Sequence, residues 1–333
     1  MTKKMVVIGN PIAGGGAGEK ISQALSILKK KGIDAELMLT SGKGDAELFA
    51  RQAATMSDTI VIAAGGDGTY NEAANGLAHT NTPLAILPMG TTSVLARELG
   101  IPINIEKALD IAVGGTAVQA HLGKISCRGQ KTTSASHPTT SSEEFARYFL
   151  LMTGIGYDGE SVYEVNEQLK KYSGKLAYIV SGIGALIKYH PGLLSIKAAI
   201  RDNDDITGER FHVNTRHCSL NKNLLEAAGY TIVVSKAACY GGDMKITPEA
   251  SLTSPHLYIF ISHKRGRINL LHYLGAIISG RATELQDTTY FRADSIEIEG
   301  DSHIQIDGDY AGKTPARITV AENALKLIVP NDK

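Results

Sequence analysis

The chain has 333 residues, of which 43% are hydrophobic, and its 34 basic residues balance 34 acidic ones. This length allows two domains with sizeable cores, whereas the balanced charge argues against a general nucleic-acid binder, which usually carries a basic excess. The N-terminus lacks the pattern of a signal peptide, and no apolar run approaches the ~20 residues that span a bilayer. The cysteines show neither metal-ligand nor disulfide spacing. A cytoplasmic protein is therefore expected.

Strands and helices are predicted to alternate through the first third of the chain. The predicted strands cover residues 5–8, 35–39, 60–63 and 84–87, and the predicted helices cover residues 19–31, 45–56, 70–79 and 94–99. This alternation is typical of an α/β domain with a parallel sheet, covering helices and right-handed crossovers. Ligands of such open sheets bind at the carboxyl ends of the strands. We expect this domain to cover residues 1–116.

A different pattern begins after residue 115. Short alternating or apolar runs, separated by turn residues, are predicted to be strands at 118–125, 148–153, 194–200, 230–234, 257–261, 295–299, 304–306 and 318–329. Such runs predict an antiparallel β domain, a sandwich, over residues 117–333. Its extreme C-terminus is expected to pack back on the first domain. A Ser/Thr-rich loop at 130–142 and a helical segment at 162–189 are predicted to interrupt the strands.

The most informative segment is Gly65-Gly66-Asp67-Gly68-Thr69, which follows the apolar strand at 60–63. Glycines allow a sharp turn and the close approach of a ligand, and the amides at the start of the next helix favour an anion. Asp67 and Thr69 supply oxygen atoms that can meet phosphate, magnesium or a reacting hydroxyl. A plain strand-to-helix turn is the alternative, but the position of the whole string after a strand favours the phosphate site.

This string resembles the nucleotide-binding motif shared by diacylglycerol and sphingosine kinases, NAD kinases and 6-phosphofructokinases. Four further segments follow the order of the diacylglycerol kinase catalytic-domain family of lipid kinases: Asn10-Pro11 with the 14–18 loop, Leu87-Pro88-Met89-Gly90-Thr91 with Leu95-Ala96-Arg97, Gly154-Ile155-Gly156-Tyr157-Asp158, and Gln305-Ile306-Asp307-Gly308-Asp309 with Pro315. The resemblance spans nearly the whole chain, and the long β domain with its late Asp-Gly-Asp favours this family over NAD kinases. It implies an N-terminal parallel-sheet nucleotide-binding domain, a C-terminal antiparallel β-sandwich, and ATP in the cleft between them.

The family implies an ATP-dependent lipid kinase that uses magnesium to transfer the γ-phosphoryl group to a hydroxyl of a diacylglycerol, sphingoid base or related lipid. Asp307 is then the candidate general base, Asp67 is its nucleotide-side partner, and Asp67 and Asp309 are the candidate magnesium ligands. An ordinary hairpin is the alternative for Asp307-Gly308-Asp309, because Asp-Gly favours type I′ turns. The candidate nucleotide-binding residues are Asn10, Thr40, Gly65, Gly66, Asp67, Gly68, Thr69, Asn71, Gly90, Thr91 and Asp309.

Three departures from the family pattern leave other functions open. Ser93 stands where relatives usually have asparagine, Asp309 where they usually have glutamate, and Ser254-Pro255 where bacterial relatives often have an Asp-Gly metal loop. We expect no auxiliary structural metal at that loop, since hard cations prefer carboxylate oxygens. The alternatives are a kinase of a soluble hydroxyl compound, in the manner of NAD kinase, and a catalytically silent nucleotide- or lipid-binding protein.

Two segments, at 170–188 and 263–278, combine basic and apolar residues. Helices of that composition suit an anionic membrane surface. An ordinary amphipathic helix packed on the core is the alternative for each segment. The expected partners are therefore a lipid substrate and, transiently, a membrane surface. A homodimer is a further expectation, and no nucleic-acid partner is expected.

Overall fold

The computed structural model describes residues 4–90, 93–129, 144–168, 192–201, 211–241 and 244–331. The N-terminal strands are β1 Lys4–Gly9, β2 Ala35–Leu39, β3 Thr59–Gly65 and β4 Leu84–Pro88, and the helices are α1 Ala17–Lys30, α2 Asp45–Ala54, α3 Asp67–Leu77, α4 Val94–Glu98 and α5 Ile105–Gly114. The strands pair in parallel in the order β2-β1-β3-β4. β3 is buried along its whole length, as expected for a central strand with both faces covered.

Two of these helices differ from the sequence prediction. α3 begins at Asp67 rather than at residue 70, because Gly66 is extended, with φ −115° and ψ −174°, and the helix follows it directly. Asp67 therefore lies in the first helical turn, where the helix dipole favours a carboxylate. α5 was not predicted, although Asn104 is a typical N-cap residue whose side chain accepts a hydrogen bond from the Lys107 amide.

The described C-terminal part consists of a large antiparallel sheet and a separate two-stranded sheet, the latter formed by residues 239–241 and 244–245. Its strands are β5 Thr116–Gly129, β6 Glu144–Phe149, β7 Met152–Ile155, β8 Leu194–Ala199, β9 Cys218–Asn221, β10 Leu224–Gly229, β11 Thr231–Ser235, β12 Cys239–Gly241, β13 Met244–Lys245, β14 Leu257–Ser262, β15 Thr288–Ala293, β16 Ser295–Glu299, β17 His303–Ile306 and β18 Asp309–Val329. The helices among its described residues are α6 Tyr157–Gln168, α7 Arg267–Ile278 and a 3₁₀ turn, Ala282–Glu284.

The main path of the large sheet runs β15-β14-β11-β7-β17-β18-β16-β8-β10-β9. Along β8 buried and exposed residues alternate, the pattern of a strand with one face on the core. The predicted combination of an N-terminal parallel sheet with a C-terminal antiparallel β domain is confirmed. Among the described helices, none has the length and apolar character needed to cross a membrane.

The predicted strand at 148–153 is two strands, β6 and β7. They separate at Leu150 and Leu151, whose amides donate to the carboxylate of Asp307 instead of continuing a strand ladder. The strands β9, β10, β12, β13 and β15 were not predicted. The predicted loop at 130–142 lies outside the described residues, as does the predicted helical segment beyond residue 168, of which α6 is the described part.

Two long strands connect the parallel and antiparallel sheets. β5 and β18 pair antiparallel from Thr116 opposite Val329 to Gly129 opposite Gly312. Near its end β18 also pairs in parallel with β4, through Leu327 opposite Leu84. The last strand of the chain thus lies along the edge of the first sheet, and the side chains of Leu84 and Leu327 are both fully buried in one core.

A buried lysine binds the loop at Ser254-Pro255, where we expected no structural metal. Lys236 follows β11 and has no exposed surface. Its Nζ donates hydrogen bonds to the carbonyl oxygens of Ser254 and His256. Burial lowers the pKa of Lys236 to about 7. Two carbonyl oxygens of this loop are therefore bound by a side chain of the protein itself.

Dialysis against a chelator is expected to leave the thermal unfolding temperature unchanged, because this loop offers serine and proline in place of carboxylates.

Lys236→Met is expected to lower the free energy of unfolding by roughly 2–5 kcal/mol, because it leaves two buried carbonyl groups without donors. Thermal and denaturant unfolding measure both effects, with Lys245→Met as the control at an exposed lysine. A divalent ion that stays bound at Ser254 after chelation would contradict the first expectation, and a fully stable Lys236→Met would contradict the second.

Candidate active site

The glycine segment after β3 forms an open cradle at the N-terminus of α3. Gly65 is required by packing, since a Cβ there would clash with the side chain of Thr69. At Gly66, Gly68 and Gly90, by contrast, a Cβ would meet no other atom within 4 Å. No side chain caps the N-terminus of α3. The cradle therefore combines free space with helix N-terminal amides, the arrangement that binds phosphate groups in other proteins.

Other predicted nucleotide-binding residues lie around this cradle. The Nδ2 of Asn10 donates to Thr69 Oγ1 at 3.3 Å, so the end of β1 is tied to the first turn of α3. Thr40 is buried, and its hydroxyl donates to the carbonyl oxygen of Gly9 at 3.4 Å, which gives it a role in joining β2 to β1. Thr91 lies outside the described residues.

Lys20 is a cradle residue that the sequence reasoning missed. It lies on α1, and its Nζ donates to the carbonyl oxygen of Met89 at 2.6 Å, directly before Gly90. A positive charge beside the cradle suits an anionic ligand. The available signal was a lysine in the first turn of the helix that follows the 14–18 glycine loop, but nothing in the sequence showed that it would reach β4.

The carboxylate of Asp67 ties α3 to α4. Its Oδ2 accepts a hydrogen bond from the Val94 amide at 3.0 Å, and its Oδ1 accepts one from the Leu95 amide at 2.9 Å. Burial raises the pKa of Asp67, and these amides oppose the rise. A carboxylate can accept about four hydrogen bonds, so Asp67 retains acceptor capacity for a metal ion or a water molecule. Ser93 caps α4 independently, because its Oγ accepts from the Ala96 amide.

Asp307 and Gly308 form a two-residue turn between β17 and β18. Their φ angles are +47° and +88°, and Ile306 pairs with Asp309 across the turn. Two positive φ angles are the mark of a type I′ hairpin. The hairpin interpretation of this segment therefore holds, and it is compatible with a chemical role, because the same turn fixes where the Asp307 carboxylate lies.

Four N–H groups surround the Asp307 carboxylate. The Oδ1 accepts from the amides of Leu151 and Met152, each at 2.9 Å. The Oδ2 accepts from the Leu150 amide at 2.8 Å and from the Nδ2 of Asn71 at 2.7 Å. Burial raises the pKa of Asp307 to about 6, while the four donors favour its ionised form. Asp307 is thus held in one orientation, with all of its usual acceptor positions engaged.

Asn71 brings the two predicted carboxylates to one face of α3. It lies four residues after Asp67, which is about one helical turn or 6 Å along the axis and on the same side. Its Oδ1 also accepts a hydrogen bond from the Nε of Arg147 at 3.0 Å. Arg147 and Asp307 both belong to the antiparallel C-terminal part, which begins at β5. Asn71 therefore joins the N-terminal and C-terminal parts of the molecule at the site.

A second buried network supports the turn that carries Asp307. The Oε1 of Gln305 accepts from the Gly308 amide at 2.8 Å, and its Nε2 donates to the Oδ2 of Asp158 at 2.6 Å. The hydroxyl of Tyr240 donates to the other oxygen of Asp158. Asp158 and Gln305 belong to recognised segments of the sequence, whereas no sequence signal identified Tyr240.

Asp309, the second predicted magnesium ligand, lies at an exposed position opposite the N-terminal part. Asp309 has a side chain that is 61% exposed, and it forms an ion pair with Lys43 at 2.8 Å across to the N-terminal half. Within the described part of the chain, no three histidine, cysteine, aspartate or glutamate residues gather as a metal site. The assignment of Asp67 and Asp309 as magnesium ligands stays a prediction.

Comparison with known proteins agrees with the geometry. Residues 4–125 match the family described as diacylglycerol kinase catalytic domain, and residues 152–329 match the YegS C-terminal NAD kinase beta sandwich-like domain. Proteins named diacylglycerol kinase from Staphylococcus epidermidis and Staphylococcus aureus are 27% and 29% identical, each over 100% of this chain and 94% of the relative.

Solved structures show the same fold. A crystal structure of a putative diacylglycerol kinase from Bacillus anthracis superposes with a TM-score of 0.68 at 21% identity, over 98% of this chain and 97% of that one. This likeness shows the fold, and the family matches and the curated relatives support a kinase. The resemblance inferred from the sequence is confirmed: the chain belongs to the diacylglycerol kinase catalytic-domain family.

Proposed function

We propose that this protein is an ATP-dependent lipid kinase, which transfers the γ-phosphoryl group of ATP to a hydroxyl of a diacylglycerol, a sphingoid base or a related lipid. The observation that carries the proposal is the hydrogen bond between Asn71 and Asp307. It holds a carboxylate of the C-terminal half within about one helical turn of the cradle at α3. Phosphoryl transfer depends on positioning a phosphate and an acceptor hydroxyl in such a place.

The cradle fits the phosphate groups of a nucleotide. Gly66 and Gly68 leave space beside the amides of α3, which would bind phosphate oxygens, and Lys20 would add positive charge. Magnesium, when bound, would neutralise charge on the phosphates. Asp67 and Asp309 are the carboxylates that we propose as its ligands. One or two carboxylates are the usual protein share of a magnesium site, whose other ligands are phosphate oxygens and water.

Asp307 is the proposed general base, and its hydrogen bonds define what that role requires. All four hydrogen-bond acceptor positions of the Asp307 carboxylate are engaged. The substrate hydroxyl that receives the phosphoryl group must therefore replace one of the hydrogen-bond donors. Among the four described donors Asn71 is the one side chain, so its amide can yield to the hydroxyl while the backbone amides keep the carboxylate in place. With a pKa of about 6, Asp307 is ionised at neutral pH and still basic enough to take a proton.

The decisive experiment is incubation of the purified chain with γ-labelled ATP, magnesium and a panel of acceptors. The panel contains diacylglycerols, sphingoid bases and a soluble dinucleotide, and labelled products are identified by mass. Label in a lipid is the expected result. Label in the dinucleotide would replace the proposal with an NAD kinase-like activity, and the absence of any ATP turnover would identify a silent binding protein. Asp110→Ala, at an exposed carboxylate of α5, is the control for variants of Asp67 and Asp307 in the same assay.

A further inference from the structure

α7 presents two apolar faces, one of which is packed on the protein. Leu270, Tyr273, Ala276 and Ile277 are buried. The Tyr273 ring meets Phe260 of β14 edge to face. These contacts show that one face of the helix is packed on the core.

The other face of α7 is apolar as well, and it lies in solvent. Ile268 is 83% exposed, Leu271 is 54% exposed and Ile278 is 71% exposed. At about 100° per residue these three side chains fall within about 80° of one another around the helix. They form what we call the α7 stripe. Large apolar side chains grouped in this way on a surface mark an interaction site more often than single ones do.

The charge around the α7 stripe indicates the kind of partner. Residues 264–281 contain Lys264, Arg265, Arg267 and Arg281 and no acidic residue, although the whole chain carries 34 basic and 34 acidic residues. The next acidic residues are Glu284, which is exposed, and Asp287. Arg265 and Arg281 are exposed, whereas Lys264 is paired with Asp287 at 3.0 Å. A second copy of this chain would bring like charges together. An anionic bilayer offers acyl chains to the stripe and negative headgroups to the arginines.

The buried side of α7 contacts the start of α6. On its buried side Leu270 packs with Tyr157, the residue before Asp158. Asp158 bonds to Gln305, which in turn holds the turn at Gly308 beside Asp307. Packing and hydrogen bonds therefore connect the buried side of α7 to the turn that carries Asp307.

We propose that the α7 stripe and its flanking arginines form a docking surface for an anionic lipid bilayer. Docking goes beyond the kinase activity, because it needs neither ATP nor transfer. It is measured by co-sedimentation of the full chain with vesicles of phosphatidylcholine, alone or mixed with phosphatidylglycerol, in the absence of nucleotide. The wild-type chain is expected to bind the mixed vesicles and to lose binding as salt is raised.

Two variants test the two parts of the surface. The triple variant Ile268→Ser, Leu271→Ser and Ile278→Ser is expected to weaken binding at least about tenfold, or about 1.4 kcal/mol. Arg265→Glu with Arg281→Glu is expected to weaken binding to the mixed vesicles by a similar factor. The matched control replaces three exposed apolar residues of the N-terminal half, as Leu48→Ser, Ile103→Ser and Val113→Ser, and should bind as the wild type does.

The proposal is wrong if the wild-type chain binds neither kind of vesicle, or if the triple variant binds as well as the wild type. It is also wrong if, without vesicles, the chain forms a dimer that the triple variant abolishes, because a second copy then covers the stripe. All variants change exposed side chains, and circular dichroism verifies their folding. A chain that binds vesicles but transfers no phosphate would overturn the proposed kinase activity and leave the docking surface intact.

Discussion

Asp67→Ala is expected to abolish measurable phosphoryl transfer. The variant removes the carboxylate that we place on the nucleotide side of the cradle, and with it the acceptor of the Val94 and Leu95 amides. Both losses act at the same place, because these amides fix the start of α4 against the first turn of α3. A lipid phosphorylation assay with labelled ATP measures the result.

Loss of the α4 cap alone would not have this effect, and Ser93→Ala provides the comparison. Ser93 caps the same helix through the Ala96 amide, so its removal is expected to cost about 1 kcal/mol of stability while most turnover remains. Near wild-type activity in Asp67→Ala would remove Asp67 from the mechanism. Equal inactivity in both variants would mean that the position of α4, rather than the carboxylate, is what matters.

Asp307→Asn is expected to lower turnover by a factor on the order of 100 or more, the usual share of general-base catalysis. Asparagine also replaces one oxygen with an NH₂ group that faces N–H donors, so at least one of the amides at Leu150, Leu151 and Met152 loses its acceptor. A stability loss of roughly 1–3 kcal/mol should accompany the kinetic effect. Calorimetry is expected to find nearly unchanged ATP affinity, because the cradle at α3 is untouched.

The pH profile separates the chemical role of Asp307 from its structural one. Burial raises its pKa to about 6, and a base must be ionised, so wild-type turnover should fall as the pH falls through about 6. That fall should be missing from the profile of Asp307→Asn. A variant that turns over at the wild-type rate, or that keeps the same fall near pH 6, would move the general base elsewhere, with Asp67 as the first alternative.

Local signals in the sequence were sufficient to predict β1 to β4 and α1 to α4, although not α5. The apolar run at 60–63 and the glycines that follow it predicted β3 and the cradle. Both a buried strand and a helix N-terminus can be recognised from consecutive residues. The hairpin at Asp307 and Gly308 is equally local. The split of the strand predicted at 148–153 was not readable, since its cause is Asp307, more than 150 residues away.

The sequence did not identify Lys20, Tyr240 or Lys236, because the partners of these residues also lie in other segments of the chain. Lys20 reaches Met89 and Tyr240 reaches Asp158 only after the strands have been ordered. No signal in the sequence identified Lys236, which the fold buries and provides with two carbonyl partners. Side-chain partners that are distant in sequence depend on sheet order and register, and neither follows from the composition of a single segment.

The position of β18 has a consequence for how the chain matures during synthesis. A chain grows from its N-terminus, so β1 to β4 leave the ribosome long before Leu327, the residue that pairs with β4. Until then the edge of β4 is an open template for pairing with another chain, the kind of edge that promotes aggregation. A message that ends before the codon for Leu327 would leave the edge of β4 without this partner, and the truncated chain would keep an exposed strand edge in its N-terminal part.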